Sequence, residues 1–310
     1  MRSVFIRAVA ALVPAALLLT GCSSGEPSSG GGGDSTTVAV ITPYLANAAT
    51  KDVIDKFQAD GKKRGWDVTV TDTAGDFNKL NSSMQDAAAQ KPDAIVLGSG
   101  DPTQMSLGLK AAKDAGVPVF AIDAAMADGI VANVTSDNAD LGKKSAEELV
   151  KLLGGKGSIV MLTHDPHPGV KARTEAAKKV FDAAGIKIVA SKHVNVPGPV
   201  DDARKSVQDL ITSDPNGFQG IWAGWDEPAL GATQALNAAN VSGVQVVGVD
   251  GQDFAIAEID KKGPFKATIK QDWSAIATKT ADLLEAYLKD KKTPDPQQVQ
   301  IPGVLYEGKK

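Results

Sequence analysis

From Val38 onward, short apolar runs rich in β-branched residues alternate with longer stretches of helical, amphipathic spacing. "TTVAVIT" (36–42) precedes "AATKDVIDKFQADGKKRG" (48–65), and "DVTVTD" (67–72) precedes "DFNKLNSSMQDAAAQ" (76–90). "DAIVLGSG" (93–100) leads into "PTQMSLGLKAAKDAG" (102–116) and then "VPVFAID" (117–123). The pattern resumes with "GSIVMLT", "IKIVASK", "QGIWAG", "VQVVGVD" and "FKATIKQ", and the spacing predicts helices between them at about 141–153, 170–184, 201–213, 227–239 and 252–260. Strand and helix repeated in this order imply parallel sheets covered by helices on both faces. About ten strands exceed one minimal unit and fit an α/β protein of two Rossmann-like, doubly wound lobes.

A weak internal repeat supports the division. "KPDAIVLGSGDPTQMSLGLKAAKDAGVPVFAIDAA" lies beside "NGFQGIWAGWDEPALGATQALNAANVSGVQVVGVDGQ" with a strand, a loop carrying Asp101 or Asp226, a helix near Pro102 or Pro228, and a second strand ending in Asp123 or Asp250. Ligands of parallel sheets bind beyond the carboxyl ends of the strands, so two such lobes facing each other would share one cleft.

The N-terminus has a different character. Arg2 and Arg7 precede the apolar "AVAALVPAALLLTG", too short for a comfortable membrane span, and then "LTGC", Leu19 to Cys22. This resembles the lipobox of bacterial lipoproteins. It implies cleavage before Cys22, a diacylglycerol on that thiol, and a membrane-anchored extracytoplasmic protein; an ordinary signal peptide with an incidental cysteine is the alternative. Cys22 is the single cysteine, so no intrachain disulfide can form. The Gly/Ser-rich run from Cys22 to residue 37 cannot bury apolar surface and reads as a flexible tether. A formal charge of −4 with no dense basic stripe argues against nucleic acid. Aromatic residues make up 5% of the chain, which gives weight to Trp222 and Trp225 standing three residues apart in "GIWAGWDEPALGA".

The collinear set "GSIVMLTHDPHPGVKARTEAAKKVFDAAGIKIVAS", "GWDEPALGATQAL" and "VQVVGVDG" resembles the type I periplasmic sugar-binding proteins of the ribose- and galactose-binding kind, over essentially all of Val38 to the C-terminus. The resemblance implies two lobes joined by three hinge crossovers, closure on a monosaccharide-sized ligand, and delivery to an ABC permease by a monomeric binding protein. It places an N-terminal lobe at 38–135 plus 272–298, a C-terminal lobe at 136–271 plus 299–310, and hinges near Thr135–Asp137, Gln271–Asp272 and Val299–Ile301. Repressors of the same fold carry a helix-turn-helix where this chain has the "LTGC" segment and the tether.

By the same resemblance, Asp123 and Asp250 receive ligand hydroxyls; each could equally be an Asx-turn or helix cap at a strand end. Arg173, in "HPGVKAR", would fork onto ligand oxygens while pairing with a carboxylate, and His167 would donate or accept beside it. Gln271 stands where the family has an amide near a hinge, and Asn47 keeps the amide of a loop that commonly reads Asn-Pro-Phe-Phe. Three departures bear on the ligand. Ala124 replaces a frequent arginine after Asp123, Ala48-Ala49-Thr50 lacks the stacking aromatic pair, and Trp225 stands where an asparagine is usual. Tyr44 upstream could form an aromatic wall. Trp225 is expected at the cleft mouth, stacked on the ligand's C–H face, with Trp222 in the core. A sugar alcohol or small aldose is the expected ligand.

Alternatives are a sensory module for a membrane receptor, a binding protein for a non-sugar ligand such as an autoinducer or nucleoside, and an extracellular enzyme using Asp123 and Asp250. The catalytic reading is weak: no nucleophile motif, His-Glu-x-x-His or Walker loop occurs. His164, His167 and His193 could be drawn as a metal site, but Pro166 and Pro168 break the segment. No cofactor or metal is expected.

Overall fold

The computed structural model describes residues 35–309. The expected signal segment and Cys22 lie outside them, as does most of the expected tether. Its last residues belong to the fold: Ser35 Oγ donates to the Gly65 carbonyl, and both the backbone N–H and the hydroxyl of Thr37 donate to Asp93 Oδ2. The expectation of free chain up to residue 37 is corrected accordingly.

The elements are β1 (Thr37–Thr42), α1 (Ala48–Lys63), β2 (Asp67–Asp72), α2 (Phe77–Gln90), β3 (Ala94–Gly98), α3 (Ser106–Ala115), β4 (Val119–Ile122), β5 (Ile130–Ser136), α4 (Asn138–Leu152), β6 (Ser158–Thr163), α5 (Pro168–Ala183), β7 (Lys187–His193), α6 (Pro199–Ser213), β8 (Gly220–Ala223), α7 (Asp226–Ala238), β9 (Gln245–Asp250), α8 (Asp253–Asp260), β10 (Phe265–Lys270), α9 (Trp273–Asp290), β11 (Gln298–Ile301) and β12 (Val304–Tyr306). They build two six-stranded sheets, ordered β11-β5-β4-β3-β1-β2 and β12-β10-β9-β8-β6-β7. Every pairing is parallel except the antiparallel β10–β12. Central strands such as β3 are buried along their length, whereas the edge strands β2 and β7 alternate with solvent.

Strand alternation splits each lobe's core into two layers. In the first lobe Val38 and Val40 pack with Phe57, Phe120 and Ile276 on one face, and Ile41 packs with Leu80, Met84 and Leu97 on the other. In the second, Trp222 lies wholly buried beneath α4 and α5 with Phe181 and Ile159, and its indole N–H donates to Ser145 Oγ at 2.9 Å. The expected core role of Trp222 is what the structure has. Those two helices touch closely at Gly142, where a Cβ would lie 2.2 Å from the Arg173 carbonyl oxygen.

The chain crosses between sheets after β5, after β10 and between β11 and β12. The third crossing corrects the sequence reading. Gln298–Ile301 pair with Asn133–Ser136 in the first sheet, so this crossing occupies Pro302–Gly303 rather than Val299–Ile301. A short polar strand gives no periodic signal of the sheet it joins.

Candidate functional site

The loops at the carboxyl ends of β1, β4, β6, β7, β8 and β9 converge on a small cavity between the lobes. It is lined by Tyr44, Asn47, Asp123, His167, Arg173, Trp225 and Asp250, all expected from the sequence, and by Thr50, His164, Val196 and Trp273, which were not. In the sequence His164 was considered only as a metal ligand. Among the described residues no cluster of metal-ligating side chains occurs.

The two aspartates hold equivalent places in the two sheets. Asp123 follows β4 with φ +50°, and Asp250 ends β9 with φ +133°. Such conformations are disfavoured for residues with a Cβ and persist where the surroundings fix them. Here Gly251 follows at φ +73°, where a Cβ would lie 2.6 Å from Lys270 Cα. The buried Asp226 accepts from the Gln252 N–H at 2.9 Å and the Thr268 hydroxyl at 2.7 Å, fastening the loop behind Asp250. Burial, and next the neighbouring Asp250, raise the Asp226 carboxyl well above its ordinary range.

A chain of hydrogen bonds joins the aspartates around the hinge. Arg173, 2% exposed, donates from Nη1 to Asp250 Oδ1 at 3.2 Å and to the Gly224 carbonyl at 3.0 Å, and from Nε to Asn138 Oδ1 at 2.7 Å. Asn138 Nδ2 donates to Thr135 Oγ1, and Thr135 donates to Asp123 Oδ1, each at 3.1 Å. Gln271 completes the support: Nε2 donates to Asp250 Oδ1 at 2.7 Å. It stands behind Asp250 and does not line the cavity. Neither Arg173 nor Gln271 reaches Asp250 Oδ2, which remains as an acceptor. Burial pushes the Asp250 carboxyl up to about 7, against the opposing pull of Arg173.

Three contacts bridge the cleft directly. His167 caps α5, its Nδ1 accepting from the N–H groups of Gly169 and Val170, so the proton sits on Nε2, 3.6 Å from Asp123 Oδ2. Tyr44 Oη lies 3.2 Å from His164 Nε2, while His164 Nδ1 is 2.9 Å from the Val194 carbonyl. That carbonyl requires an N–H on Nδ1, leaving Nε2 to accept from the tyrosine. Burial, with Asp101 adding to it, holds the Tyr44 phenol well above its ordinary range, and burial lowers His164 to about 4, so both groups are neutral at pH 7. Third, Glu227 accepts from Asn47 Nδ2 and from the Ala48 N–H, and from the Trp225 indole at 3.2 Å. Glu227 escaped sequence reading; the only signal was an acid two residues beyond an unusual tryptophan.

Trp225 corrects one expectation. It is 4% exposed and forms a wall inside the closed cleft, edge-on to His164 at 5.9 Å, rather than standing at the mouth. Its extended backbone (φ −157°) at the start of α7 and its bond to Glu227 turn the ring inward. Asn47 caps α1 through its oxygen, which accepts from the Thr50 N–H at 3.0 Å.

The fold and site define a two-lobed binding protein whose lobes meet over a small cavity with aromatic walls and a few carboxylate, amide and guanidinium groups. Comparison with known proteins places it further: residues 38–292 match the periplasmic binding protein domain, and the chain belongs to that family. It is 31% identical over 238 residues to the D-apiose import binding protein of Actinobacillus succinogenes, covering 76% of each chain. It is 27% identical over 304 residues to the xylitol-binding protein of Mycolicibacterium smegmatis, covering 95% of this chain and 84% of the other. A crystal structure of an ABC transporter solute binding protein from Agrobacterium vitis with bound allitol superposes with a TM-score of 0.82 at 28% identity, covering 88% of this chain and 95% of that one.

Proposed function

We propose that this chain is the extracytoplasmic substrate-binding component of an ABC importer and holds a monosaccharide or sugar alcohol in the interlobe cavity. The observation that carries this is the pair Asp123 and Asp250, presented from equivalent strand ends of the two lobes into one cavity. A carboxylate accepts from two neighbouring hydroxyls, each bond contributing about 1.5–3 kcal/mol. Asp123 and Asp250 line the cavity with a single guanidinium, Arg173, which Asp250 already pairs, an arrangement that disfavours an anionic ligand and suits an uncharged, donor-rich one. Tyr44 and Trp225 offer aromatic surface to its C–H groups. The relatives named for D-apiose and xylitol, and the neighbour bound to allitol, support the same class.

Within that class a sugar alcohol or small aldose fits best, because Ala124 and the Ala48–Thr50 stretch lack the arginine and the aromatic pair suited to a flat pyranose. "LTGC" supports lipid anchoring at Cys22 and delivery of the ligand to a membrane permease by a tethered monomer. A thermal-shift screen of pentitols, hexitols and aldoses tests the reading. Stabilisation by several degrees with one or more is expected. Stabilisation by aldopyranoses alone removes the polyol assignment, and no stabilisation by any removes the function.

A further inference from the structure

We infer that Trp273 is a specificity-determining residue of this site, its indole N–H donating to one hydroxyl of the bound polyol or sugar. This rests on the function proposed above. Trp273 opens α9 directly after the second crossing between lobes, in "KQDWSAI". The ring packs into the first lobe's core with Ile276 and Ala277 and is 5% exposed, so its orientation is fixed before any ligand arrives. The residue nevertheless lines the cavity, beside Ala49 and Thr50, where the start of α1 carries no aromatic side chain.

The indole nitrogen is the decisive atom. Trp222 donates to Ser145 Oγ and Trp225 to Glu227 Oε2, but Trp273 Nε1 is buried without a partner. A buried donor without an acceptor is costly and uncommon, and the cavity that Trp273 lines is where a ligand could supply the acceptor. A hydroxyl oxygen meets that need, and the same hydroxyl can donate its own hydrogen bond to a carboxylate such as Asp123. Trp273 would thus select for a hydroxyl at one ligand carbon and reject the analogue lacking it.

Trp273→Phe keeps most of the ring and removes the N–H. For the polyol or aldose that most stabilises the wild type, calorimetry should show affinity weakened about tenfold, the size of one hydrogen bond to a neutral donor. The ligand-free melting temperature should fall by only a few degrees, because removal of an unpartnered donor partly offsets the volume lost from the core. In a panel of monodeoxy analogues, the wild type should discriminate strongly at one position where Trp273→Phe discriminates weakly. Unchanged affinity, or a loss equal for every analogue, overturns the inference and leaves the proposed function standing. A wild type that binds no polyol or aldose overturns both. Should the variant fail to fold, wild-type indole 1H–15N spectra serve: signals of two of the four tryptophans should shift on ligand addition, those of Trp225 and Trp273, and fewer than two overturns the inference.

Discussion

Replacing Arg173 by methionine isolates the central ion pair. The guanidinium is buried with Asp250, and its removal also strips a donor from Asn138 Oδ1 and the Gly224 carbonyl. Breaking a buried pair on one side costs about 3–5 kcal/mol, because the remaining charge has no partner. Asp250 has one escape, which is to take up a proton. Its carboxyl stands at about 7 with Arg173 opposing the effect of burial, so without the guanidinium it rises further. An acid raised in the folded state binds more protons than in the unfolded chain, so stability falls as pH climbs from the ordinary carboxylate range to the folded value. In the wild type that fall ends near pH 7; in Arg173→Met it continues. The variant should lose about 1 kcal/mol more between pH 7 and 8 than the wild type does. Urea unfolding followed by tryptophan fluorescence at pH 6, 7 and 8 measures this. Adding Asp250→Asn removes the stranded charge and should recover part of the stability and abolish the extra slope. A single variant within about 1 kcal/mol of wild type at pH 8, or a double variant less stable than the single one, refutes the reasoning.

Two further outcomes are expected. His164 is buried neutral, lowered from 6.5 to about 4 by burial first and by His167 and His193 second. Its contribution is therefore complete above pH 6.5 and lost as pH falls toward 4, a total of about 3 kcal/mol. His164→Gln keeps a donor and an acceptor but does not titrate, so the difference in urea stability between wild type and variant should shift against the wild type by that amount across the window. Gly142→Ala should lower stability by about 1–3 kcal/mol and weaken ligand binding as well, since the new methyl meets the backbone carrying Arg173. Gly263→Ala, with nothing within 4 Å of the new atom, is the control and should stay within about 0.5 kcal/mol.

Strands such as β3 and β9 were legible because their apolar runs are buried on both faces. The strand β5 was not. Its "IVANVTS" carries Asn133, Thr135 and Ser136 inward, where Asn133 ties Ala124 to Gln298 and Thr135 holds Asp123. Those polar side chains serve the hinge and erase the apolar signature. Asp123 and Asp250 could be read because each closes a buried strand. His164 and Glu227 could not: their contacts follow from closure, which sets Tyr44 against a residue 120 positions away and Asn47 against one 180 away. No local spacing encodes such a meeting.

The direct bonds across the cleft bear on how this molecule is read by whatever it docks with. Tyr44 with His164 and Asn47 with Glu227 need no third party, so the shut form is stabilised partly by the protein itself. A ligand moves the open–shut balance only by its preference for the shut form, and its apparent affinity rises with the fraction already shut. Strong self-closure therefore lengthens retention of a bound ligand while narrowing the contrast between the empty form and the loaded one. The strength of those few hydrogen bonds sets where the protein falls between holding its cargo and reporting it.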